Sequence, residues 1–259
     1  MESSCSRPRW LTSLRATMDR VLKARLAFRT LLGGFVLWWH LSAAADIENP
    51  GLSGLRTISQ RLQANLNKNE LKQYASDPVV TVESDEVRFH AVLRDGVRAV
   101  EVTPNAIEVI NRVSYAMAIN RHHKGYLQTY LQQLAAYTGT GPVPALPPSK
   151  VLEGNRAIEV SNDHLSNFNQ ITAGLFSILL NYGQADAKSL PTDQWLKGLQ
   201  KGIPNSLACA YGTEGLVEFF EAIEKIGTRP NWLEQLYPSG VKARKARREL
   251  DKIREELFR

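Results

Sequence analysis

Val87-Arg-Phe-His-Ala-Val-Leu-Arg-Asp-Gly-Val-Arg-Ala-Val-Glu-Val102 decides how the rest of the chain is read. Apolar and polar residues alternate through it, a period of two that fits strands with one buried face. Asp95-Gly96 interrupts the alternation, and glycine accepts the positive φ that a tight hairpin turn demands. Upstream, Pro78-Val-Val-Thr-Val-Glu83 supplies a third β-like run, set off by Ser84-Asp85. These runs predict a three-stranded antiparallel meander with the segment from Val87 in the middle. On that middle strand Val87, Phe89, Ala91 and Leu93 share one face, and Arg88, His90 and Val92 share the other.

Past the hairpin the period changes to that of helices. Thr103-Pro104 reads as an N-cap followed by proline at the first helical position, where its missing N–H costs nothing. Ile107, Ile110, Val113 and Met117 form the apolar stripe of that helix. Asn120-Arg-His-His-Lys-Gly125 breaks it, and Tyr126, Leu127, Tyr130, Leu131 and Leu134 restart the pattern. Residues 138–150 contain Pro142, Pro144, Pro147 and Pro148, which remove backbone donors and predict an extended linker or lid.

Asn162-Asp163 is read as the cap of the next helix, carrying Phe168, Ile171, Leu175, Phe176, Leu179 and Tyr182. Its Leu175-Phe-Ser-Ile-Leu-Leu180 run is the most apolar after residue 45 and predicts a central core helix. Thr192-Asp193 reads as the cap of a short helix with Trp195, Leu196 and Leu199. Residues 215–226 carry Leu216, Phe219, Phe220 and Ile223. The charged stretch 241–259 reads as a helix with sparse apolar residues, Leu250, Ile253 and Leu257. On the N-terminal side of the strands, Leu55, Ile58, Leu62, Leu66 and Leu71 predict a surface helix broken near Asn67.

Residues 1–45 carry a secretory pattern. Arg20, Lys23, Arg25 and Arg29 precede an apolar core at 31–41, and Ala43-Ala44-Ala45 meets the small-residue requirement for a cut before Asp46. The alternative is an uncleaved anchor. The run 30–45 holds 16 residues and includes His40, shorter than the roughly 20 residues that span a bilayer, while Trp38-Trp39 suits a membrane interface.

The leader also accounts for much of the apparent basicity. The whole chain has 32 basic and 26 acidic residues, net +6. Residues 1–45 hold seven basic and two acidic, and residues 242–259 hold eight and four. The body between them, 46–241, has 17 basic against 20 acidic residues, so its composition offers no basic face for nucleic acid. Cys5 lies in the leader, so Cys209 is left alone and the exported domain rests on its core rather than on disulfides.

The chemistry-bearing candidates are few. His122-His123 are adjacent, whereas a metal pair on a helix needs i, i+4 spacing, and Arg121 and Lys124 flank them. His90 and His164 complete a set that a tertiary fold would have to assemble. Glu214, Glu218, Glu221 and Glu224 recur at three- and four-residue intervals along one helix face, of which Glu214 is the acid–base candidate. The chain contains no Gly-x-Ser-x-Gly elbow, no P-loop and no Gly-x-Gly-x-x-Gly.

The order of elements resembles a zincin-type (HExxH) metallopeptidase domain over residues 86–240. Val97-Arg-Ala-Val-Glu-Val-Thr-Pro-Asn-Ala-Ile-Glu-Val-Ile110 stands where such a domain has the strand and helix before its metal helix. Phe176-Ser-Ile-Leu-Leu-Asn-Tyr-Gly-Gln-Ala185 stands for the metal helix, and Thr213-Glu214-Gly-Leu-Val-Glu218 for the later acidic helix. Asn181-Tyr182 occupy the positions of His-Glu, and Ala185 that of the second His. The resemblance therefore implies a domain whose metal motif has been lost and which is catalytically dead.

Together the residues predict an α+β fold, mainly helical, with a three-stranded antiparallel meander followed by a helical bundle, in a single exported domain over 46–259. The expected function is non-catalytic binding of an unidentified ligand in the periplasm or outside the cell, with a protein or cell-envelope partner and no nucleic acid. Membrane contact is expected through the N-terminal segment or the basic C-terminal helix. No cofactor is evident. One alternative is an exported metal-dependent hydrolase using His90, His122, His123 or His164, with zinc held by His90, His122 and His164. The other is a membrane-anchored structural protein that keeps its leader.

Overall fold

A computed structural model of the protein describes residues 50–182 and 191–259. The leader at 30–45, Cys5, the expected cut before Asp46 and Ala185 lie outside the described residues. Strands β1 (Tyr74–Thr81), β2 (Phe89–Arg94) and β3 (Val97–Val102) form one sheet. β2 and β3 make the expected hairpin, pairing Phe89 with Val102 and Arg94 with Val97. Asp95 and Gly96 both have positive φ, 51° and 79°, the left-handed pair a two-residue turn uses to match strand twist.

The expected antiparallel meander is corrected to a mixed sheet. The strand order is β1-β3-β2, and β1 runs parallel to β3. A central strand in a covered sheet is buried on both faces. β3 meets that condition, because its neighbours Ala99 and Val100 point to opposite faces and both are fully buried. β2 ends at Leu93, 54% exposed, and exposed Arg94, which suits an edge. β1 also starts earlier than Pro78, and its register slips between Tyr74 and Val79. Pro78 has no N–H to give, and the Asp77 carboxylate accepts the Val79 N–H at 3.2 Å.

Eight α-helices surround this sheet among the described residues: α1 (Pro50–Ala64), α2 (Lys68–Leu71), α3 (Pro104–His122), α4 (Tyr126–Ala136), α5 (Arg156–Leu180), α6 (Thr192–Ala208), α7 (Glu214–Glu224) and α8 (Ala243–Leu257). Asn67 breaks the first helical run as expected, through a reciprocal capping box with Glu70. Thr103 is the N-cap of α3 and is fully buried. Its hydroxyl donates to Glu86 O at 2.7 Å and accepts the Arg88 N–H at 2.9 Å. One side chain thus caps a helix and fixes the segment that leads into β2.

α5 is the central helix. It packs on α1, α3, α6 and α7, and residues 171–180 are all buried. The expected cap at Asn162-Asp163 is corrected: α5 starts at Arg156, and both residues lie inside it. Val160 is already fully buried there, so the core reaches back past the expected start. α6 is likewise longer than the short helix expected and starts after Pro191, with Thr192 inside it.

α6 crosses α5 with backbone against backbone. A Cβ on Gly198 would lie 2.5 Å from Ile178 O, and one on Gly202 would lie 2.2 Å from Ser177 O. Further along α6, the Asn205 amide donates to Leu62 O at 3.0 Å, satisfying a carbonyl in the last turn of α1.

Residues 138–150 lie against the body as a strap. Prolines cannot donate, so their carbonyls serve as acceptors: Tyr130 OH donates to Pro144 O at 3.1 Å and Tyr126 OH to Pro147 O at 2.6 Å. Arg112 donates to Val143 O, and Asn105 Nδ2 donates to Gly141 O at 2.8 Å. No helix among the described residues is long and apolar enough to cross a membrane.

Candidate functional site

α7 and α8 run antiparallel and are joined by ion pairs in register. Glu214 Oε1 meets Arg254 at 2.9 Å, Glu221 Oε1 meets Arg247 at 2.5 Å, and Glu224 Oε1 meets Lys242 at 3.8 Å. Glu224 Oε2 also accepts the Ala243 N–H at 3.1 Å, at the start of α8. The buried face of α8 explains the alignment: Ala243, Ala246, Leu250 and Ile253 recur at three- and four-residue spacing and turn the arginines toward α7. Glu218 faces Arg121 at 3.7 Å, and Arg121 also meets Asp163 at 2.8 Å, tying α3, α5 and α7 together.

A groove of about 490 Å³ lies along this seam, with Asn120 and Leu127 from the α3–α4 corner, Val217 and Glu218 from α7, and Asp251 from α8 among its lining residues. Lys225 and Asp251 both line it, and neither forms an ion pair among the described residues. The groove therefore presents one ammonium and one carboxylate that remain available, between walls whose other charges are paired.

Of the candidate residues, Glu214 lines this groove, with its second oxygen accepting the Thr213 N–H at 3.1 Å. The histidines are held by four different sets of neighbours. His90 sits on β2, with Nε2 3.6 Å from Glu101 Oε1 and Nδ1 3.5 Å from Gln235 Oε1. Arg88 approaches the same Glu101 oxygen at 3.5 Å. His122 ends α3, 3.9 Å from Glu159 Oε2. His123 caps that helix by donating its N–H to Ile119 O at 2.9 Å, with its ring beside Tyr126.

His164 lies on α5, its Nε2 2.8 Å from Asn111 Oδ1 and its ring 4.5 Å from that of Tyr115. Burial pushes its pKa down to about 4, against smaller opposing effects from Asn111 and Glu108. Among the described residues no group of three or more His, Cys, Asp or Glu side chains is placed to hold a metal ion. Asn181 follows the last residue of α5, accepts from Tyr74 OH at 2.9 Å and donates to Ser177 O at 3.0 Å. Tyr182 beside it is buried. These two positions offer an amide and a phenol, not the imidazole and carboxylate that a zinc motif needs.

Cys209 is half-buried, and its thiol lies 3.4 Å from Arg61 O at the end of α1. Burial raises its pKa, which lowers the thiolate fraction that a nucleophile needs.

Sequence reasoning did not pair the glutamates with Arg121, Arg247 and Arg254, and it did not single out Lys225 or Asp251. A signal for two of these pairs was present. Glu214 and Glu221 are seven residues apart, as are Arg247 and Arg254, the interval expected of two antiparallel helices that keep one seam. No protein-family model matches the chain, and no curated protein and no solved structure matches it.

Proposed function

We propose that the protein is an exported, non-catalytic binding domain whose ligand lies in the α7–α8 groove. The observation that carries this reading is the pair Lys225 and Asp251, opposite charges lining one groove without ion-pair partners among the described residues. A ligand with both signs of charge, such as a peptide segment carrying one acidic and one basic side chain, matches that pair. The ladder Glu214–Arg254 and Glu221–Arg247 supplies fixed walls and limits the number of charges the ligand must satisfy. Export is supported by the leader pattern at 30–45 alone.

The test is a heteronuclear NMR titration of the protein with a pool of short mixed-charge peptides. Shifts confined to the groove, centred on Val217, Lys225 and Asp251 and lost in both Lys225→Ala and Asp251→Ala, support the reading. Shifts elsewhere, or shifts that survive both substitutions, reject the groove as the site. Sequencing the N-terminus of the exported protein tests the address: a start at Asp46 is expected, and a retained leader points instead to the anchored alternative.

A further inference from the structure

We propose that the outward face of α8 docks on an anionic lipid surface. The face is separate from the groove, so the proposal stands or falls independently of the binding reading above. Lys242, Arg244, Lys245, Arg247 and Arg248 place five cations at the start of α8 with no acidic residue among them. Lys242 and Arg247 turn toward α7 and pair there with Glu224 and Glu221. Arg244, Lys245 and Arg248 are exposed and form no ion pair among the described residues.

The direction of these side chains follows from what the helix buries. Ala243, Ala246, Leu250 and Ile253 face the body. At 100° per residue, Arg244 and Arg248 fall on the opposite side, and Lys252 continues their row one turn further on. Asp251 and Glu255 border this row, so its basic character is concentrated in the first two turns. Cations at a helix N-terminus oppose the macrodipole and weaken the helix slightly. Their concentration there therefore does not serve the stability of α8, and an external anion offsets the cost.

A lipid surface fits better than a nucleic acid or an acidic protein for two reasons. The body over 46–241 is slightly acidic, which disfavours a polyanion wrapping beyond this one face, whereas a membrane touches only the face that is presented to it. Phe258, 76% exposed, stands just past the end of α8, supplying an apolar side chain for the headgroup boundary. Basic clusters on an amphipathic helix are the usual recognition element for anionic headgroups.

The test is partitioning of the full chain onto vesicles of phosphatidylcholine alone and with one-third phosphatidylglycerol. Three variants of the face, Arg244→Gln, Lys245→Gln and Arg248→Gln, are combined in one protein. A control protein combines Lys72→Gln, Arg94→Gln and Lys124→Gln, three exposed cations elsewhere on the body. Each cation near an anionic surface contributes about a factor of five, so the α8 triple variant is expected to lose about 100-fold in partitioning onto the anionic vesicles. The control, carrying the same net charge, is expected to keep most of the binding. The N-terminal segment is common to all three proteins and cancels in the comparison. Unchanged thermal midpoints establish that the exposed substitutions leave the fold intact. Equal losses in both triple variants, no loss in the α8 variant, or equal wild-type binding to neutral and anionic vesicles would each overturn the proposal. So would saturable binding to a nucleic acid or an acidic peptide that blocks vesicle binding at lower concentration.

Discussion

Gly202→Ala isolates the contact on which the α5–α6 packing depends. Gly202 sits inside α6, where alanine is intrinsically favoured by about 1 kcal/mol, so a propensity argument alone predicts stabilisation. The structure predicts the reverse. The new Cβ would lie 2.2 Å from Ser177 O, 2.5 Å from Ser177 C and 3.1 Å from Ile178 N. All three are backbone atoms of the central helix, so no rotamer change relieves the contact. The Ser177 carbonyl is also fixed from its own side, since it accepts from Asn181 N at 3.3 Å and from Asn181 Nδ2 at 3.0 Å. One turn earlier the two backbones are similarly close, since a Cβ on Gly198 would lie 2.5 Å from Ile178 O.

Relief then requires α6 to lift by about 1 Å, and gaps of 0.5–1 Å forfeit a quarter to a half of each contact's attraction. Fully buried Trp195, Leu199 and Ile203 on α6 lose most. Overpacking of this kind costs about 1–3 kcal/mol and more where backbone must move. With the propensity gain included, the net destabilisation is about 2 kcal/mol. At roughly 2–4 °C per kcal/mol for a domain of this size, the thermal midpoint falls by about 4–8 °C. Gly54→Ala is the matched control, because that glycine is also helical and its Cβ would meet only Phe168 Cε1, at an ordinary 3.6 Å. It should gain up to about 1 kcal/mol. Urea and thermal unfolding of the three proteins measure both effects, and a Gly202→Ala protein as stable as the parent refutes the close-crossing argument.

Thr103→Val removes the cap of α3 and leaves the Arg88 N–H without its acceptor; a loss of about 2–3 kcal/mol is expected in urea unfolding, against less than 1 kcal/mol for Thr103→Ser. His164 has a folded pKa of about 4 against 6.5 when unfolded, so the unfolded chain binds the proton first, and stability should fall as pH drops from 6.5 to 4 and level off below. His164→Gln should flatten that part of the pH–stability curve, and an unchanged slope would assign it to other groups. Tyr237 OH is buried without a hydrogen-bond partner among the described residues, while its ring stacks on Phe220 at 4.6 Å; Tyr237→Phe should therefore be neutral or stabilising by calorimetry, and a loss above about 1 kcal/mol would show that the hydroxyl is satisfied.

The parts of the fold that were legible are those decided by neighbouring residues. The Asp95-Gly96 turn, the Thr103-Pro104 start of α3, the break at Asn67 and the apolar run 175–180 each rest on local chemistry, and each is present. What was not legible depends on distant partners. Alternation in the segment from Val87 indicated a strand with one buried face, but central and edge strands differ in what covers the second face. Only the packing shows that Ala99 and Val100 are both buried and that β3 is therefore central. The start of α5 fails for a related reason. Asn162 and Asp163 are good caps in isolation, yet Val160 is already buried against the core, and packing there outweighs a capping preference worth about 1 kcal/mol.

The charged helices extend the same reasoning to the candidate site. Four glutamates on one face read locally as a solvated surface, and each glutamate taken alone gives no reason to change that reading. The information lies in the match between two intervals, Glu214 to Glu221 and Arg247 to Arg254, and it becomes usable only once α7 and α8 are known to be antiparallel neighbours. Exposed ion pairs contribute about 0–1 kcal/mol each, so the ladder does little to hold α8 in place compared with buried Leu250 and Ile253. Its consequence is selective. Pairing removes Glu214, Glu221, Arg247 and Arg254 from competition for a ligand, and along α7 and α8 it leaves two sets of charges without ion-pair partners among the described residues. Lys225 and Asp251 lie inside the groove; Arg244, Lys245 and Arg248 face outward on α8. These two sets define different surfaces with different chemistry, which is why separate substitutions can test them.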